Sequence, residues 1–66
     1  MNIFINGQKE VIEESITLLD YLISKGLYPN NVVVEYNLNV LRSEDWANTV
    51  LKENDSLEVL SFVGGG

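Results

Sequence analysis

Hydrophobic and polar residues alternate at the start of the chain: Met1, Ile3 and Ile5 fall on one face, Asn2 and Phe4 on the other. A period of two marks a half-buried β-strand. Asn6-Gly7 follows, a pair in which both residues tolerate positive φ and so close a tight hairpin. Residues 8–13 return as a second strand, with Val11 facing opposite to Ile12. The period changes after Thr17. Leu18, Leu19, Leu22 and Ile23 recur at helical spacing, which predicts a helix whose wetter face carries Asp20, Tyr21, Ser24 and Lys25. Thr17 and Asp20 have the spacing of a capping box. Gly26 suits the left-handed position just past the helix, with Leu27 folding back on the last turn. Pro29, Asn30 and Asn31 close the segment.

The pattern then returns to strands. Val32 to Tyr36 is β-branched and bounded by Asn, Asn37 opens a turn, and Val40-Leu41 form a short fourth strand. Ser43 is placed as the cap of a single helical turn, with Trp46 beneath it as a core plug. Asn54-Asp55 make the next turn, and Leu57 to Val63 form the last strand. One helix over one face of a small mixed sheet is an α+β layer architecture, and the pattern resembles the β-grasp (ubiquitin-like) fold. That resemblance implies first and last strands side by side and parallel in the sheet centre. Residues 1–63 are expected to form this domain, and residues 64–66 a flexible glycine tail.

Parity assigns the faces. Glu58 should meet water, so Leu57 and Val59 point to the helix and Leu60 and Phe62 point away. Met1, Ile3 and Ile5 go inward and Phe4 outward. Glu35 marks the outer face of the third strand and puts Val33 there. With β-grasp pairing, Phe4, Leu60, Phe62 and Val33 are expected to form one exposed apolar patch beside the glycine tail. Clustered exposed aromatics mark a partner site.

Composition narrows the chemistry. Sixty-six residues are one domain, with 45% apolar residues for its core. Ten acids against four bases leave a net charge of −6. That disfavours nucleic acid as a partner and favours a protein with a basic surface. Cys and His are both absent, so the commonest nucleophile and proton-transfer side chains are missing, as are thiolate metal sites. Glu13-Glu14 and Glu44-Asp45 are sequence neighbours, which do not face each other on a helix or a strand. No catalytic residue, metal site or tightly bound cofactor is expected, and the chain is not expected to be an enzyme. No apolar run is long enough to span a membrane, no signal peptide opens the chain, and a cytoplasmic location is expected.

The chain ends Gly64-Gly65-Gly66. Glycine lacks Cβ and adopts backbone angles closed to other residues, and three extended residues reach roughly 10 Å. Such a thread can carry its α-carboxylate into a partner's narrow active site.

The segments TLLDYLI, VVVEYN, VLRSEDW and, most specifically, NDSLEVLSFVGGG resemble the ThiS family of ubiquitin-like sulfur carriers. The resemblance covers nearly the whole chain. It implies that a ThiF-type adenylating enzyme uses ATP to activate the Gly66 carboxylate, that sulfur-donor proteins convert it to a thiocarboxylate, and that thiazole synthase receives the sulfur in thiamine biosynthesis. Gly64 and Gly65 would thread into both active sites. A molybdopterin-synthase small subunit shares the fold and the Gly-Gly end, a protein-conjugating modifier would pass Gly66 to a lysine amine, and a plain interaction module would use only the sheet.

Overall fold

The computed structural model describes residues 1–61. Its elements run β1 (Asn2–Ile5), β2 (Gln8–Val11), α1 (Leu18–Ser24), β3 (Val32–Tyr36), β4 (Asn39–Leu41), a 3-10 helix (Ser43–Asn48) and β5 (Ser56–Ser61). The strands form one sheet in the order β2-β1-β5-β3-β4. β1 and β5 are parallel neighbours near its centre, and the other pairs are antiparallel. This is the arrangement the β-grasp resemblance implies.

Local chemistry accounts for most element ends. Asn6 and Gly7 both have positive φ, as a two-residue hairpin turn requires. Thr17 caps α1, its hydroxyl oxygen accepting from the Asp20 N–H at 3.1 Å. Past the helix, Gly26 takes φ +77, its N–H bonds the Ile23 carbonyl, and the Leu27 N–H bonds the Leu22 carbonyl. That pair of bonds is a Schellman closure. α1 has only seven residues, too few to persist alone in water, so packing holds it.

The core lies between α1 and the sheet. Ile3, Leu18, Leu22, Val34, Trp46 and Leu57 are fully buried. Two assignments on α1 are corrected. Tyr21, expected on the wet face, is buried, and Ile23, expected in the stripe, is exposed. Ile23 sits about 140° round the helix from Leu18, whereas Tyr21 and Leu22 flank it at i+3 and i+4. Tyr21 tolerates burial because its hydroxyl reaches out and donates to Glu10 Oε1 at 2.7 Å. The expected single turn at Ser43 is a six-residue 3-10 helix with Arg42 at its cap position and no side-chain cap bond. β2 stops at Val11 rather than residue 13, after which the Ile12 N–H bonds the Met1 carbonyl. β5 starts one residue before Leu57, at Ser56.

Asp55 has a larger part than a turn residue. It is buried. Its Oδ2 accepts from the Tyr36 hydroxyl at 2.6 Å and the Lys52 N–H at 2.8 Å, and its Oδ1 accepts from Asn37 Nδ2 at 3.2 Å. It ties the β3–β4 turn to the entry of β5.

Candidate functional site

Inward residues of β5 pack on the helix, so its outward residues and its far end are what a partner can reach. Outward positions on neighbouring strands fall into rungs. Val33 lies directly across from Leu60, and both are exposed, at 41% and 65%. One rung back, Glu35 faces Glu58 on one side and Val40 on the other. Val40 is 67% exposed. An apolar pair thus stands beside two acids directly opposite each other, a like-charge rung that weakens strand pairing and gives this end of the face a negative field.

Phe4 is outward as parity predicts, but it is half-buried and sits elsewhere. Its partners are Lys9 on β2 and Ser56 at the start of β5. Leu60 is four residues further along β5, roughly 13 Å at the strand rise. The structure therefore brings Val33 and Leu60 together, adds Val40 on the next rung, and sets Phe4 apart. Parity tells which face a side chain occupies and is silent on its height along the strand. Phe62, Gly64, Gly65 and Gly66 lie outside the described residues. Val40 is an outward apolar residue that the sequence does not announce, because a three-residue strand is too short for alternation to fix its faces; its place opposite Glu35 comes from the β3–β4 register.

Three groups depart from their ordinary acidities, all away from neutrality. Glu10 is held low, chiefly by its bond to Lys25 and next by the Tyr21 hydroxyl. Lys25 Nζ sits 2.8 Å from Glu10 Oε1. Tyr21 is pushed up by burial first and then by Glu10. Tyr36 is pushed up to about 12, by burial first and then by its bond to Asp55. None of the three is poised to exchange a proton near neutral pH; they clamp β2 to α1 and β3 to β5. Among the described residues there is no cavity and no cluster of three metal-ligating side chains. No helix there is long and apolar enough to cross a membrane. What the described chain offers is a sheet face and a central strand leading towards a glycine end.

Comparison with known proteins agrees with that arrangement. The ThiS family model matches residues 2–66. The crystal structure of the thiamine biosynthesis protein ThiS from Geobacter metallireducens is 33% identical, superposes with a TM-score of 0.84, and is covered along 100% of both chains. A thiazole synthase of Magnetococcus marinus is 38% identical over all 66 residues, and the chain spans 20% of that protein's length. The uncharacterized protein ycf40 of Trieres chinensis is 33% identical over 63 residues, covering 96% of this chain and 86% of that one.

Proposed function

The chain belongs to the ThiS family of small sulfur carriers, and from that premise we propose that its Gly66 carboxylate is the group that carries the sulfur. The observation behind this reading is the family match, which runs through the glycine end. The central placement of β5 supports it, because that strand feeds the end directly. A terminal carboxylate has a pKa of about 3.5 and is ionised at neutral pH. As an anion it is a poor electrophile. A ThiF-type enzyme joins one carboxylate oxygen to the α-phosphorus of ATP, and pyrophosphate leaves. Sulfide-level sulfur (HS⁻), released by donor proteins, then attacks the Gly66 carbonyl carbon. The C–S bond forms as the C–O bond to AMP breaks, leaving a thiocarboxylate.

The chain supplies the reacting group and its delivery, and partners supply the catalysis and the ATP. No tightly bound cofactor is needed. Residues 1–63 act as the handle and 64–66 as the arm, with Gly64 and Gly65 thin enough for narrow active sites. Docking uses the outward Val33 and Leu60, with Phe62 continuing the same parity, while Phe4 makes a separate contact. The acids at Glu35 and Glu58 favour a partner surface with basic side chains round an apolar contact. Thiazole synthase is the receiver best supported, since proteins of that name contain a segment like this chain. We place the reaction in the cytoplasm, where ATP is at hand.

The test is intact mass after incubation with ATP, a ThiF-type enzyme and a sulfur-donor system. The expected gain equals replacement of one oxygen by sulfur and maps to Gly66. An unchanged mass, with an enzyme competent on another carrier, overturns the reading in favour of a conjugating modifier or a plain binding module. Transfer of the sulfur to a molybdopterin-type synthase and not to thiazole synthase would reassign the receiver.

A further inference from the structure

β5 outruns its neighbour. β1 pairs with it only at Phe4↔Ser56 and Ile5↔Leu57, and the Asn6 N–H then bonds the Leu57 carbonyl at 2.8 Å. At Asn6 the backbone turns away with φ +51. In a parallel ladder that continued, the Val59 N–H would bond the main-chain carbonyl of residue 6. It bonds the side-chain Oδ1 of Asn6 instead, at 2.8 Å, while Asn6 Nδ2 reaches back to the Val59 carbonyl at 3.4 Å. The side-chain amide presents one acceptor and one donor, as a peptide group does. It adds one more rung on the side of β5 that β1 has left. On the other side, β3 pairs with β5 as far as Val32↔Ser61.

We propose that Asn6 is a positioning residue for the terminal carboxylate: its amide holds Val59 as a surrogate strand and so sets the line along which β5 leaves the sheet towards the glycine arm. The inference rests on the carrier reading above. An arm anchored at residue 59 on both sides searches less space than one anchored at residue 57, and ordering it in a partner's cleft costs less entropy. The hairpin needs only a residue that accepts positive φ at position 6, which Gly satisfies as well as Asn. The amide's two bonds to Val59 are therefore separable from its turn function.

Asn6→Gly removes both bonds and keeps the turn. Asn6→Asp keeps an acceptor for the Val59 N–H. Two readouts are taken on the full chain: amide hydrogen exchange at Val59, and kcat and KM for adenylation by a ThiF-type enzyme. For N6G the expected result is faster exchange at Val59 with unchanged exchange at Ile3 and Val34. KM should rise roughly 3- to 10-fold, the equilibrium factor of one neutral hydrogen bond, with kcat unchanged. N6D should recover Val59 protection and most of the KM. An N6G chain with wild-type KM, or with unchanged exchange at Val59, overturns the proposal while leaving the carrier reading intact. A wild-type chain that is never adenylated overturns both.

Discussion

The two tight hairpins of the sheet share one backbone solution and are held by different means. Each has a two-residue turn led by an asparagine, Asn6-Gly7 between β1 and β2 and Asn37-Leu38 between β3 and β4, and all four residues have positive φ. In the first, glycine takes the second position without strain. In the second, a leucine takes it at φ +76 while its side chain stands 88% exposed. A bulky residue in that region is strained, and Leu38 finds no burial to offset it. The second turn is held from below. Asn37 donates from Nδ2 to the buried Asp55, accepts from the Ser56 N–H at 2.8 Å, and donates its own N–H to the Ser56 carbonyl at 2.8 Å. Both lead asparagines are bonded to β5, Asn6 to Leu57 and Val59 and Asn37 to Ser56. The first turn has a glycine at its second position, while the second carries a leucine there and is bonded as well to a buried carboxylate 18 residues further on.

The largest break in that comparison is Asp55→Ala. It leaves the Tyr36 hydroxyl, the Lys52 N–H and the Asn37 amide without their acceptor. A loss of about 2–4 kcal/mol in urea unfolding is expected. Amide exchange should quicken across Asn39–Leu41 and not across Gln8–Val11; equal quickening in both hairpins would mean that Asp55 supports the sheet generally. Next comes Gly7→Ala. A Cβ there meets nothing within 4 Å, so only the left-handed φ is at stake, and a loss of about 1 kcal/mol is expected. A neutral result would show that the first turn can shift its φ at little expense. Leu38→Gly reverses that logic and should raise stability by about 0.5–1 kcal/mol. A loss in thermal unfolding would instead show that the exposed leucine holds its hairpin.

The smallest effect is a pH dependence. The Tyr36 phenol is pushed up to about 12, by burial first and by Asp55 after it. A raised folded value means that its contribution is whole below the phenol's ordinary value of 10 and is lost as pH climbs through about 12. Stability should therefore fall across that window, and Tyr36→Phe should flatten part of the fall. Tyr21, also raised, accounts for a further part, which Tyr21→Phe isolates. A wild-type curve that stays level across the window would remove the Tyr36–Asp55 bond from the account of the second hairpin.

Much of this molecule was legible in residue order because the chemistry concerned is local. Asn6-Gly7 announces a turn, Thr17 with Asp20 starts a helix, and Gly26 ends it. Alternation along residues 57–60 places Leu57 inward and Leu60 outward, as found. The glycine end supplied the functional expectation directly, and the family match runs through it.

Other features were decided between distant residues. Tyr21 is buried in place of Ile23 because α1 rolls to put Leu18 and Leu22 on the sheet, and Glu10 on another element receives the phenol. Phe4 is parted from Leu60 by the β1–β5 register. Asp55 is an anchor only because Tyr36 and Asn37 come to it. By itself the sequence determined where the strands and helices fall and which way the strand side chains point, since both follow from periods and caps spanning a few residues; the roll of α1 it left open. The tertiary structure alone decided height along the strands and the partners of buried polar groups. Those depend on contacts across some 50 positions, as between Asn6 and Val59, whose energies no local pattern carries.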